Sequence, residues 1–378
     1  MESTIGGTRR HLNQLALGLP KDKFDITVIA SAERDATFRS DLAAMARAGA
    51  SVAEVPMIRN IRWKADRRHI QQIREILRSG KFDIIHTHSS KAGALGRWAS
   101  ICEKQGRRVH TPHTFGFAFA GGFSAGKRAV FYGIELLLGR FTHRLICVSP
   151  SEAQQAKKLK VIKSSRIAVI ENGIDMEPFV NVPARAHART QLGLPQSETI
   201  ALIVALLNSA KGQLEAVEAM SQIPRERRPL LICAGAVSDA EYGAAVERAI
   251  VKYQLQDRVR LAGHQSNIPI WLAAANYVVC PSRWEGMPYA VLEAMAAGRA
   301  VLATATNGAK DAILPNVTGK IVKIGDPAEL AASIVEFTEN ADGCDRLGAA
   351  GREHVANHYT SAKMIQNTSE LYHEVLSQ

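Results

Sequence analysis

One pattern restricts the possible folds more than any other. Short apolar runs alternate with helix-patterned segments along nearly the whole chain. Apolar runs without polar alternation belong to strands covered on both faces, and the amphipathic segments between them supply the cover. In the first half these runs fall at residues 24–30, 51–55, 82–88, 107–113, 145–149 and 167–173. In the second they fall at 199–206, 229–234, 259–262, 277–280, 300–304 and 319–322. The strand–helix–strand order predicts an α/β protein built on doubly wound parallel sheets.

A chain of 378 residues exceeds one ordinary core, so two domains are expected. Residues 180–197 carry Pro183, Gly193 and Pro195 without a strong period, and the linker is expected there. It would join a first domain over 1–179 to a second over 198–360, with a helix at 361–378 packing back on the first. Residues 1–200 hold 31 lysines and arginines against 17 acids, whereas residues 201–378 hold 16 against 19. A basic first half suits an anionic partner such as a membrane surface, a phosphorylated acceptor or nucleic acid. No apolar stretch is long enough to span a bilayer, and MESTIGGTRRHL lacks the charged and apolar regions of a signal peptide. With five scattered cysteines, this predicts a cytoplasmic protein with reduced thiols.

The stretch from Tyr277 to Gly298 concentrates the chemistry. Tyr277–Cys280 is a strand signal, residues 281–287 form a polar break, Pro288 suits a helix start and Gly298 a helix stop. That order places unpaired helix N–H groups at the carboxyl edge of a parallel sheet, where α/β proteins hold anions. Glu285 and Glu293 flank this edge. On the residues alone, a ligand site and an ordinary βα unit both remain open.

EGMPYAVLE, with glutamates at 285 and 293, resembles the E-x7-E signature of retaining GT-B glycosyltransferases of family 4. The resemblance runs through Gly6-Gly7, His113 in HTPHTFGF, Glu171-Asn172-Gly173, Lys211-Gly212, Gly235, Asn307-Gly308 and Thr318-Gly319. It implies two Rossmann-like domains facing across a cleft, and transfer of a sugar from a nucleotide-diphosphate donor with retained anomeric configuration. It also implies no cofactor and no metal. Glu293 would hold the donor ribose hydroxyls, and Glu285 would contact the donor sugar near the reacting centre. Backbone N–H groups of Gly286 and Met287 would cradle the diphosphate, with Lys211 as its cation. Gly6 and Gly7 would let the backbone approach the donor closely, and His113 would sit near the transferred sugar. His86 and His88 have the spacing of a metal pair, but no third ligand is evident at a sensible spacing.

The acceptor side is written less clearly. Residues 114–141 carry Phe115, Phe117, Phe119, Phe123, Phe131 and Tyr132 with Lys127 and Arg128. They suit either a surface resting on an anionic membrane or a loop followed by a core helix. HTHSSKAGALGR is similar to segments of bacterial exopolysaccharide and lipopolysaccharide enzymes, which implies a polyprenyl-linked or other glycan acceptor and no nucleic acid. Such an enzyme would be cytoplasmic, with peripheral contact at the inner face of the membrane. Two departures stand out. The family places an apolar strand before the Gly-Gly loop, and only Met1–Ile5 precede Gly6, so a first strand is expected to be missing and the start displaced. The usual Gly-Arg after the first strand of the second domain is Ala205-Leu206, which removes a phosphate-binding cation. These departures keep open a weakly active or inactive accessory GT-B protein, or a sugar-nucleotide epimerase.

Overall fold

The computed structural model describes residues 6–58, 60–118 and 123–378. It divides into two compact units, Met1–Asn172 with Ser361–Gln378, and Gly173–Thr360. Met1–Ile5, where the missing first strand was expected, and Phe119 lie outside the described residues.

In the first unit, α1 (Gly7–Gly18) precedes β1 (Thr27–Ala30), α2 (Phe38–Arg47), β2 (Ser51–Glu54) and α3 (Trp63–Ser79). Then come β3 (Ile84–His88), α4 (Ser90–Glu103), β4 (Arg107–Thr111), α5 (Ala125–Gly139), β5 (Arg144–Cys147), α6 (Pro150–Leu159) and β6 (Ile167–Val169). All described pairings are parallel: β1 with β2, and β3-β4-β5-β6 as a second sheet. Ile29 of β1 and Ile85 of β3 pack on one cluster with Val55, Met57, Ile73 and Leu95. The C-terminal helix Ser361–Leu376 belongs to this unit, burying Met364, Leu371, Tyr372 and Val375 against Leu15, Val109 and Ile146.

The second unit runs α7 (Arg185–Leu192), β7 (Ile200–Val204), α8 (Gln213–Gln222), β8 (Leu230–Ala234), α9 (Ala240–Lys252), β9 (Val259–Gly263) and α10 (Ile268–Ala274). It continues β10 (Tyr277–Cys280), α11 (Tyr289–Ala296), β11 (Ala300–Thr304), α12 (Asn307–Ala312), β12 (Gly319–Val322), α13 (Pro327–Glu339) and α14 (Ala341–His358). Six parallel strands follow the order β12-β11-β10-β7-β8-β9. The chain winds one way from β7 to β9 and the other from β10 to β12, so the switch point lies between β7 and β10. The central strands are covered on both faces: Leu202, Val278, Val279, Leu302 and Leu231 have no exposed surface. Burying each such side chain contributes about 1.5–3 kcal/mol.

The segment expected as a linker carries a helix. Residues 185–192 form α7, which packs on α10, and the division between units falls at Asn172/Gly173. The helix is anchored by a buried arginine. Arg189 donates to the Ala274, Pro195 and Gln196 carbonyls and to Asn276 Oδ1. For the aromatic segment, the structure takes the second of the two readings left open, a loop followed by a core helix. Phe115 and Phe117 are buried with Leu145, Cys147 and Ala156, and Phe131 and Tyr132 pack against them. Phe115 and Phe117 therefore belong to the core, with Phe131 and Tyr132 half-buried at its margin.

Candidate active site

In the second unit the site residues gather at the carboxyl edge of the switch point, where open α/β sheets form their ligand crevice. The loop after β7 carries Lys211, and the loop after β10 carries Glu285. Lys211 Nζ lies 2.6 Å from Glu285 Oε1, and Ser282 Oγ donates to the same oxygen at 2.9 Å. Arg283, in the same loop, pairs with Glu215 of α8. Glu293 sits on the second turn of α11, half-buried. The charges meet around Cys280, at the end of β10. Burial, with Glu285 and Glu293, pushes its thiol up to about 12, and Lys211 opposes the shift.

Two glycines make these loops fit. Gly212, with φ +73°, caps α8, and a Cβ there would lie 1.9 Å from the Pro281 carbonyl oxygen. At Gly308 a Cβ would lie 2.2 Å from the Gly286 carbonyl oxygen and 2.4 Å from Met287 Cα. The first turn of α12 therefore lies directly against the 286–287 backbone, which only a glycine permits. Pro288 precedes α11 as its N-cap, one residue earlier than the expected first helical position. Gly286 and Met287 lead directly into that helix start.

The first unit presents different chemistry at its carboxyl edge. Gly6, at φ +77°, caps α1, whose first residue is Gly7. One turn on, His11 is buried and joined to Asn172 Oδ1 through Nδ1 at 3.0 Å. His88 ends β3, and His113 lies two residues beyond β4. His88 Nδ1 and His113 Nε2 are 3.2 Å apart, and the His11 and His113 rings meet edge-on at 4.7 Å. His86, on the same strand face as His88, bonds Tyr372 Oη at 2.6 Å and Thr111 Oγ1 at 2.7 Å. Burial is the first cause that lowers all four imidazoles: His11 to about 4, His86 to about 3, and His88 and His113 well below their ordinary value. The neighbouring rings lower the last three further, so the cluster is neutral at pH 7.

The backbone of this edge is strained. Ser89, His113 and Thr114 have φ of 63°, 55° and 114°, and non-glycine residues held there cost about 1–3 kcal/mol each. Ser89 Oγ and Thr114 Oγ1 are buried without a hydrogen-bond partner among the described residues. Strain and unpaired polar groups concentrate where ligands bind.

The His86–His88 spacing gains its neighbours only in three dimensions. One ring nitrogen each from His11, His88 and His113 lies within 4.8 Å of the other two. Ligands sharing one zinc ion stand about 3.4 Å apart at bond lengths of 2.0–2.1 Å, so this cluster is looser than a closed metal site. His11 and Arg283 are site residues that sequence reasoning missed, whereas Asn172, the partner of His11, stood in the motif Glu171-Asn172-Gly173 without a role assigned to it. His11 lies one turn into the helix that follows the Gly6-Gly7 loop, which is the signal that marks it.

Two units of parallel βα architecture, one with an ion pair at its switch point, have the form of enzymes that handle phosphate-bearing ligands. Residues 5–178 match the family described as Glycosyltransferase Family 4, and residues 184–354 match Glycosyl transferases group 1. The chain belongs to the group 1, family 4 glycosyltransferases with the GT-B fold, and it is an enzyme of that class. It is 27% identical to the Escherichia coli UDP-Gal:alpha-D-GlcNAc-diphosphoundecaprenol alpha-1,3-galactosyltransferase over 362 residues, 94% of this chain and 90% of that one. Its fold is similar to sucrose-phosphate synthase from Thermosynechococcus elongatus, with a TM-score of 0.84 and 23% identity over 100% of this chain and 95% of the other. It is also similar to Anabaena HepE in complex with UDP and glucose, with a TM-score of 0.85 and 20% identity over 99% and 98%.

Proposed function

We propose that this enzyme moves a sugar from a nucleotide-diphosphate donor to a lipid-linked glycan acceptor, with retention, during assembly of a cell-surface polysaccharide. The observation that carries the reading is the Lys211–Glu285 pair at the switch point of the second unit's sheet. An ion pair at a ligand crevice is poised to exchange: the donor diphosphate takes the lysine, which frees the carboxylate for the donor sugar. Glu293 then accepts from the ribose hydroxyls, and the N–H groups at Gly286 and Met287 meet the phosphates ahead of α11. The leaving diphosphate gains charge as the bond breaks, so donors fixed in advance stabilise the transition state more than the ground state. Lys211 and these amides carry that role without a metal.

The first unit contributes neutral hydrogen-bonding groups. His113 meets the transferred sugar, and Gly6-Gly7 bring backbone close to the donor. The lipid-linked acceptor is supported by the acceptor named for the Escherichia coli relative, and by the basic residues 1–200. Contact with an anionic inner membrane face would use those same charges.

The test is to incubate the protein with UDP-sugars and undecaprenyl-diphosphate-linked GlcNAc and to read the product's anomeric centre by NMR. An α-linked product from an α-linked donor is expected; a β-linked product overturns retention. A second reading rests on Ala205-Leu206, where a phosphate-binding cation is replaced by an apolar pair. In that reading the chain binds a nucleotide sugar and assists another transferase, giving donor binding with no turnover.

A further inference from the structure

We infer that Glu152 is a positioning residue for His113, holding the strained loop that presents the imidazole. The inference rests on the reading that His113 serves the transfer. Glu152 lies in the first turn of α6 and is completely buried. Its two carboxylate oxygens take two backbone amides from different segments. Oε1 accepts from the Thr114 N–H at 2.6 Å, and Oε2 from the Val148 N–H at 2.7 Å. Thr114 follows His113, and Val148 follows the end of β5.

The bland account is a capping box. Ser149-Pro150-Ser151-Glu152 fits that pattern, and Ser149 Oγ does accept from the Glu152 N–H at 3.2 Å. A capping glutamate, however, serves only its own helix start. Here one oxygen crosses 38 residues to a loop in which two successive non-glycine residues, His113 and Thr114, have positive φ. Such a conformation persists only where its surroundings over-determine it. Among the described residues no charged partner offsets the burial of this carboxylate: burial raises it to about 7, and the Val148 and Thr114 amides act in the other direction. A buried acid without a counter-ion costs stability, which argues for a task beyond capping. The task also demands a carboxylate. A glutamine offers one acceptor oxygen and turns an NH2 toward the second N–H, so one of the two ties is lost.

The test compares wild type with Glu152→Gln and Glu152→Asp, using UDP-galactose and undecaprenyl-diphosphate-linked GlcNAc as probes. Thermal unfolding establishes that each variant folds, and 13C-histidine NMR reports the His113 ring. In Glu152→Gln we expect kcat to fall about 10- to 100-fold with donor KM nearly unchanged, because displacing a reacting group by an ångström has that effect. The His113 resonances should move while those of His187, exposed on α7 of the second unit, stay in place. Glu152→Asp keeps two acceptor oxygens and should recover part of the lost kcat. If Glu152→Gln fails to fold, Glu152→Asp carries the comparison through its own His113 shift and kcat. Unmoved His113 resonances, or wild-type kcat in a folded Glu152→Gln, overturn the inference. The resonances need no turnover, so the clamp is tested apart from the transfer reading. That reading fails by its own result, a fully active His113→Ala.

Discussion

The carboxyl edges of the two units solve different chemical problems with the same architecture. The second unit's edge is charged and relaxed: Lys211 faces Glu285 at 2.6 Å, and glycines at 212 and 308 let the backbones meet. The first unit's edge is neutral and strained: four imidazoles, His11 and His88 buried and His86 and His113 half-buried, beside Ser89, His113 and Thr114 in the left-handed region. A cation and helix N–H groups suit a diphosphate, whereas neutral donors and acceptors suit hydroxyl-rich sugars. The contrast teaches that a parallel sheet supplies the place, and the loop residues decide which part of a substrate belongs there.

The sharpest way to break the comparison is to remove the charge from the second edge. Lys211→Met should lower kcat/KM by about 10²–10³, as loss of one charge-stabilising group does, with the larger part in kcat. Steady-state kinetics with UDP-galactose would check this, and an unchanged kcat would place the phosphates elsewhere.

Acid should separate the units. The folded values of His11, about 4, and His86, about 3, lie below the ordinary 6.5, so the unfolded chain binds more protons between them. Stability from burying these rings is complete above about pH 6.5 and is lost as pH falls toward 4, by up to ~1.4 kcal/mol per histidine per pH unit. Hydrogen exchange at pH 7.5 and pH 5 should show protection at β3 and β4 falling well before protection at β7 and β10. Equal loss in both units would contradict the assignment of a neutral cluster.

The smallest expected effect is a gain. Leu206→Arg returns a cation to the edge beside Lys211 and should tighten UDP binding about tenfold by calorimetry, the scale of one charge-assisted contact. Unchanged affinity would mean that residue 206 does not face the phosphates.

The strands were legible because a strand covered on both faces is an unbroken apolar run, and Tyr277–Cys280 is found by that rule alone. Lys211 and Glu285 were legible as loop residues following strands, the place where such sheets bind ligands. α7 was not, because its anchor is Arg189, satisfied by the Ala274 carbonyl and Asn276, and apolar periodicity cannot register a buried guanidinium. The histidine cluster was not legible either. His11 meets Asn172 across 161 residues and His113 through a loop bent by positive φ, and neither distance is written in local pattern. The aromatic run at 115–132 left two readings open because rings at this spacing suit a surface or a core alike, and Phe115 and Phe117 fill the space between β5 and α6.

The central claim is that Glu285 acts on the donor sugar at an edge where Lys211 holds the diphosphate. The most direct measurement takes the UDP-sugar and lipid-linked glycan that wild type turns over, and compares wild type and Glu285→Ala for binding of that donor by calorimetry and for transfer of its sugar. The account predicts that donor binding survives in Glu285→Ala within about tenfold while transfer falls by about 10² or more. Transfer by Glu285→Ala at the wild-type rate would contradict it.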